Sequence, residues 1–242
     1  MNKPSILYFD TLPSTNDHLK TLALAGAEEY TAVIADHQSQ GRGRRSKSFF
    51  SPEGTGLYMS FLVYPEREKL NILTPVCALS VRKAIKELYG INTDIKWVND
   101  LYLNNKKLCG ILCESSSSHD GKCFCIVGIG INLTKPKGGF PKMEDNSPTA
   151  LFKDCVDVKA ERDRLAERII KIFPSLYASD NALLLESYKK SCFVIGKNAT
   201  VKRGEEKFDA LILDINPDFS LRLKTNNKIL SLNSGEISLR LK

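Results

Sequence analysis

Two hydrophobic rhythms run along the chain, and the switch between them divides it. Leu19, Leu22 and Ala23 share one face of a predicted helix. Ser14 opens that helix with a Ser-x-x-Asp capping pattern reaching Asp17, and Gly26 stops it. TAVIADHQ, residues 31–38, reads as a buried strand, and GLYMSFLVYP, residues 56–65, as a second one that Pro65 ends. Asn71 to Tyr89 keeps helical spacing through Val76, Leu79, Val81, Ile85 and Leu88, with Gly90 placed to terminate it. Three strand-like pieces follow, DIKWV, KLCGILCES and FCIVGIGINL, separated by turn-rich NDLYLNNK and SSSSHDGK. A loop is expected over 135–148, then helices over Lys159 to Tyr177 and Asn181 to Lys190. The sheet is therefore rich in hairpins and flanked by helices.

After Ser191 the period shortens. ATVKRG, FDALILDI, SLRLKT, KILSLN and EISLRL alternate at spacings of about ten residues, with Asn216-Pro217-Asp218 and Asn226-Asn227 as turns. This is the pattern of a small all-β barrel, too small to be stable without leaning on the larger part. The expected division is a domain over 1–190 and a second over 191–242.

Composition changes this picture little. With 42% hydrophobic and 26% charged residues in 242, the chain is an ordinary globular sequence. Its 35 Lys and Arg against 28 Asp and Glu give +7, which suits an anionic ligand or acidic partner but falls short of an obligate nucleic-acid binder. No apolar run approaches the roughly 20 residues of a membrane helix, and MNKPSILYFD lacks a signal-peptide core, so a cytoplasmic protein without membrane contact is expected. Seven cysteines without a C-x-x-C pair read as free thiols. A zinc site from Cys109, Cys113, His119, Cys123 and Cys125 is disfavoured, because these cysteines fall within strands rather than at the spacing of a ligand knuckle.

Candidate chemistry gathers in GRGRRSKSFFSP, Gly41 to Pro52, between the first two strands read above. Glycines let backbone N–H groups approach a ligand, arginines offer forked donors to phosphate or carboxylate, and the aromatics could close over a flat heterocycle. A solvated basic loop has the same composition. There is no Walker A motif. In KWVND, Lys96 stands at a strand end beside Asn99 and Asp100, hard oxygen ligands that could order phosphates or magnesium. KLCGIL places Lys107 just before a strand in which Gly110 permits close approach, and GIGIN is a glycine-interrupted strand without the third glycine of a dinucleotide fingerprint.

In order, STN, HQSQGRGRR, FFSPEGTGLYMS, KWVND, KLCGIL, GIGIN and the terminal GEISLR resemble a biotin protein ligase, over almost the whole chain. The resemblance implies an α+β fold: a mixed-sheet catalytic domain related to class II aminoacyl-tRNA synthetases, then an SH3-like barrel. It implies that biotin and MgATP form biotinyl-5′-AMP, which then passes biotin to a lysine of a biotin carboxyl carrier domain. It carries ligand contacts onto Ser14, Thr15, Asn16, Gln38, Arg42, Gly43, Arg44 and Lys107, with Gly41, Gly110 and Gly128 lining the pocket by backbone. Asn99, Asp100 and Asn132 would face nucleotide, phosphates and Mg²⁺, with Asp100 the metal ligand. Lys107 would bridge carboxylate and α-phosphate, while Arg42 and Arg44 offset charge and hold a lid.

Two positions depart from the family pattern: Val98 stands where proline is usual, and Phe49, the expected adenine platform, where tryptophan is common. The chain begins at the catalytic domain, so no specific DNA binding is expected; a homodimer is compatible with the sequence. Two rivals share some of these features. A lipoate ligase would share the lysine but carry an R-R-x-S-G-G-G-like loop, absent here, and an RNA-binding protein would need exposed aromatics that the barrel strands lack.

Overall fold

The computed structural model describes residues 5–118, 121–142, 147–226, 228–233 and 236–239. Strand β1 (Ile6–Leu12) and strand β2 (Ala32–Gln38) pair in parallel, and helix α1 (Thr15–Leu24) makes the crossover between them. Ser14 caps that helix as its motif predicts, its hydroxyl accepting from the Asp17 N–H at 3.4 Å. The hydrophobic pattern does not reveal β1, because only Leu12 of the strand is buried; parallel backbone pairing at the sheet edge holds it, with Ile6 and Phe9 half-buried against the cores.

Strand β3 (Gly56–Val63) is buried at every position. A 3-10 turn over Arg67–Ile72 precedes helix α2 (Leu73–Tyr89), so the helix begins two residues beyond the expected Asn71, and Gly90 ends it at φ 69°. Strand β4 (Asp94–Lys96) is shorter than DIKWV. NDLYLNNK, read as a turn, holds strand β5 (Asp100–Leu103), in which Leu101 and Tyr102 are buried. The turn shrinks to Asn104 and Asn105, both at positive φ (51° and 60°), the geometry of a two-residue hairpin connection. Strands β6 (Lys106–Ser117) and β7 (Cys123–Asn132) form the long central hairpin, and helices α3 (Val158–Tyr177) and α4 (Asn181–Ser191) follow where predicted.

The sheet order is β1-β2-β3-β7-β6-β5-β4, antiparallel except for the first pair. One face packs on α2 and α3 through residues such as Met59, Phe61, Val81, Val127, Ile129 and Phe173. On the other face α1 covers Val33, Ala35, Leu62, Phe124 and Ile126 with Leu19 and Ala23. Ten residues of helix span about 15 Å, too little to cover the whole face. The uncovered part lies beyond the N-terminus of α1, beside Ser14, Thr15 and Asn16.

The second sheet comprises β8 (Asn198–Arg203), β9 (Glu206–Ile215), β10 (Leu221–Thr225), β11 (Lys228–Leu232) and β12 (Glu236–Leu239), all antiparallel in the order β11-β10-β9-β8-β12. The mixed sheet with helices and this small antiparallel sheet are the α+β arrangement that the sequence predicts. The small sheet leans on the larger part at Phe219, 3% exposed. Trp97 Nε1 donates to the Phe219 carbonyl at 2.9 Å, Tyr188 meets the Phe219 ring edge-on, and the Tyr188 hydroxyl donates to the Val98 carbonyl at 2.9 Å. The segment leading into Asn99 is thus propped from beneath.

His119 of the disfavoured zinc set, residues 143–146 of the predicted loop, Asn227 of a predicted turn, and Gly235 and Arg240 of the terminal motif lie outside the described residues. All seven cysteines are free. Among the described residues no helix is long and apolar enough to cross a membrane.

Candidate active site

Even-numbered residues of β7 share one sheet face. Beneath the apolar face of α1 they are Phe124 and Ile126; from the first turn of the helix outward they become Gly128, Gly130 and Asn132. Gly130 pairs across the sheet with Gly110 of β6, which bares a strip of backbone. The strip is filled by other parts of the chain. A Cβ on Gly128 would overlap the Asn16 amide, and one on Gly130 would overlap the Phe49 ring, which also lies over Gly110. These glycines exist for close approach rather than for turning, since none of the three has positive φ.

Above the floor, polar side chains interlock. The Gln38 amide oxygen accepts from the Thr15 N–H at 2.9 Å, and its nitrogen donates to Ser51 Oγ at 3.0 Å. Ser60, fully buried on β3, lies 2.6 Å from Asn16 Oδ1 and 2.7 Å from Thr15 Oγ1. Asn16 Nδ2 donates to Glu114 Oε2 at 2.7 Å. Amides and hydroxyls at this end of the cleft are pre-oriented by one another, which fits a ligand that both donates and accepts hydrogen bonds.

The basic loop is folded as a small hairpin. Arg42 bridges Ser48, the Gly43 N–H donates to the Lys47 carbonyl at 2.7 Å, and the Phe49 N–H to the Gly41 carbonyl at 2.8 Å. A Cβ on Gly41 would fall 2.7 Å from Ser51 Oγ, so glycine permits the crossing at the hairpin base. The arginines tie the hairpin down. Arg42 reaches Asp17 at 2.6 Å and Glu114 at 2.9 Å, and Arg44 donates to Asn99 Oδ1 at 3.1 Å. Asn99 in turn donates from Nδ2 to the Ile111 carbonyl at 3.0 Å. Burial pushes the Tyr58 phenol up to about 12, so it keeps its proton and donates to the Pro52 carbonyl at the loop exit, at 3.1 Å.

Lys107 stands at the start of β6, 2.9 Å from the buried Asp100 Oδ1 at the start of β5. Its backbone is clamped from outside: the Lys107 N–H donates to the Ser147 carbonyl, and its own carbonyl accepts from the Thr149 N–H. Asn132 Nδ2 donates to the Thr149 carbonyl at 3.0 Å, so residues 147–149 form a wall of the site. The cleft holds a cavity of about 190 Å³, with Arg42, Arg44, Lys96 and Lys107 on its lining and Asp100 as the counter-charge. Cations outnumber carboxylates on this lining, which favours negative charge.

Of the residues expected from sequence, Ser14, Thr15, Asn16, Gln38, Arg42, Gly43, Arg44 and Phe49 line this cavity, as do Asn99, Asp100, Lys107, Gly110, Gly128 and Asn132. Gly41 does not; it serves the hairpin base instead. Phe49 rests on the floor glycines. Glu114, Ser60, Gly130 and the 147–149 wall were not identified from sequence. Two of them stand within quoted motifs, Gly130 as the second glycine of GIGIN and Ser60 as the last residue of FFSPEGTGLYMS. Among the described residues no group of three His, Cys, Asp or Glu gathers to hold a metal ion unaided.

Residues 8–132 match the Biotin/lipoate A/B protein ligase family. The chain is 35% identical to the bifunctional ligase/repressor BirA of Bacillus subtilis, over 97% of this chain and 74% of that protein. It is 25% identical to the biotin acetyl-CoA-carboxylase ligase of Mycobacterium tuberculosis, over 93% and 85%. A biotin protein ligase from Aquifex aeolicus, solved in complex with biotin and ATP, superposes with a TM-score of 0.77 at 28% identity, covering 98% of this chain and 99% of that one.

Proposed function

We infer the reaction from one premise: the chain belongs to the Biotin/lipoate A/B protein ligase family. It is a biotin protein ligase, activating biotin with ATP and transferring it to a protein lysine. The observation that carries biotin over lipoate is the polar end of the cleft. Thr15, Asn16, Gln38 and Ser60 present matched donors and acceptors there. A ureido ring can add hydrogen bonds to the donor and acceptor capacity these groups keep beyond their bonds to one another; a dithiolane would cover that polar surface and return no bond.

A biotin carboxylate oxygen attacks the α-phosphorus of ATP, the bond to the bridging oxygen breaks, and pyrophosphate leaves. The acceptor amine then attacks the carbonyl of biotinyl-AMP, AMP departs, and an amide forms with loss of a proton. No side chain of the enzyme has to bond covalently to either substrate. Lys107, steered by Asp100 and clamped at its backbone by residues 147–149, holds a fixed cation where carboxylate and α-phosphate meet. Arg44, braced by Asn99, adds a second cation from the lid side. Phe49, seated between floor and loop, offers the adenine a stacking face. Closure of the loop hairpin keeps water from the reactive anhydride.

Asp100 supplies one carboxylate beside the phosphate site, which fits magnesium carried in on phosphate oxygens; the ion would offset phosphate charge. The acceptor we assign is a biotin carboxyl carrier domain. Pyrophosphate release from ATP tests the reading. Release is expected with biotin and not with lipoate; the reverse preference would place the chain in the other branch of its family.

A further inference from the structure

One carboxylate joins the floor of the site to its lid. Glu114 lies on β6 in the same row as Gly110 and Leu112, on the sheet face that bears the cleft and opposite Ile126, two residues past the end of KLCGIL. Its Oε2 accepts from Asn16 Nδ2 at 2.7 Å and from an Arg42 nitrogen at 2.9 Å. Asn16 is only 6% exposed and sits on Gly128, whereas Arg42 belongs to the loop hairpin. A single oxygen therefore binds one group from each side.

An ionised carboxylate can only accept hydrogen bonds. Asn16 must point its nitrogen at Glu114, which leaves its oxygen 2.6 Å from Ser60. Glu114, whose bond is much shorter than the 3.5 Å contact of the same nitrogen with the Leu112 carbonyl, is thus the main group that orients an amide at the polar end of the cleft. Arg42 has a second carboxylate, Asp17 at 2.6 Å, but Asp17 is 55% exposed and makes no bond to Asn16 through its side chain. The two acids hold the same arginine, and Glu114 is the one that links it to the floor.

We propose that Glu114 is a positioning residue for the ligase reaction: it fixes which way the Asn16 amide faces bound biotin and, through the same oxygen, couples that amide to closure of the lid by Arg42. The proposal rests on the biotin ligase reading above. It makes biotin affinity and retention of biotinyl-AMP two separable outputs of one side chain.

The test uses the full chain and three variants, with biotin affinity measured by titration, biotinyl-AMP release by rapid filtration of preloaded enzyme, and folding by thermal melt. Glu114→Gln keeps an oxygen for Asn16 but removes the charge facing Arg42. It should hold biotin within about twofold of wild type and release adenylate about three- to fivefold faster, the range for a partly exposed ion pair. Glu114→Ala should speed release similarly and also weaken biotin by about tenfold, since the buried Asn16 amide loses its short bond and keeps only the long one to the Leu112 carbonyl at 3.5 Å. Asp17→Asn should speed release about twofold and leave biotin affinity unchanged.

A purely structural role would move both outputs together with the melting temperature. Wild-type values of both outputs in Glu114→Gln and Glu114→Ala would overturn the proposal, as would a loss of biotin affinity in Glu114→Gln as large as in Glu114→Ala. Should Glu114→Ala not fold, the isosteric Glu114→Gln decides through its split between affinity and release. If the wild-type chain forms no biotinyl-AMP at all, the ligase reading itself fails and takes the proposal with it; if wild type holds adenylate and the variants match it, only the role of Glu114 falls.

Discussion

Strand β7 (Cys123–Asn132) carries two opposite uses of one sheet face. Phe124 and Ile126 are fully packed beneath α1, with Leu19 and Ala23 against them. Two positions on from Ile126, Gly128 lies under only the first turn of α1, and the Asn16 amide fills the space a side chain would take; at Gly130, that space is filled by the Phe49 ring. Backbone, register and pleat are continuous between the two ends. What differs is that the helix packs apolar side chains on one end and reaches the other only with its polar first turn. The site is therefore made by stopping α1 early, and the capping motif that starts the helix also supplies Thr15 and Asn16 to the cleft.

If the two ends are independent in this way, changes at one should leave the other intact. Phe124→Ala is expected to have the largest effect, about 3–5 kcal/mol of stability, because it empties a closed core. Urea unfolding measures it, and biotin affinity of the remaining folded protein should stay near wild type; a parallel loss of affinity would mean that the two ends are mechanically coupled.

Lys107→Ala is the mirror experiment. It should lower the rate of adenylate formation on the order of 100-fold or more, the cost of removing a fixed charge from a developing one, while unfolding in urea changes little. Adenylation near the wild-type rate would remove Lys107 from the reaction.

Gly130→Ala sharpens the contrast further, because alanine is tolerated in most strands but here meets the Phe49 ring. The expected cost is about 1–3 kcal/mol, the scale of overpacking, appearing as weaker ATP binding rather than as lower global stability. An unchanged ATP requirement would mean that Phe49 does not need its seat on the floor. The smallest effect belongs to Phe49→Ala, which should raise the ATP requirement several-fold, for about 0.5–1.5 kcal/mol of lost stacking, and affect biotin less. Equal losses for both substrates would indicate a collapsed loop instead.

The readable parts of the sequence were those in which local chemistry dictates structure. The Ser14 cap, the apolar face of α2 and the alternation after Ser191 each follow from neighbours a few residues apart. Strand β1 was hidden because only Ile6, Phe9 and Leu12 of it pack on the cores, a spacing of three that does not read as a strand, and β5 because asparagines on both sides gave it the composition of a turn. The basic loop and Lys107 were legible through motif spacing. Glu114 was not: it is one of 28 acidic residues, and its partners lie 98 and 72 positions away. Gly130 stood within a noticed motif, yet its role depends on lying opposite Gly110, a matter of strand register that periodicity alone does not specify.

Intact mass spectrometry of a biotin carboxyl carrier domain incubated with the full chain, biotin and MgATP tests the central claim most directly. The predicted result is the addition of one biotin to a single lysine, absent when ATP is omitted and not replaced by a lipoyl group when lipoate is substituted for biotin. A carrier domain whose mass stays unchanged with all components present, or one that gains lipoyl instead, would contradict the assignment of this cleft to biotin transfer.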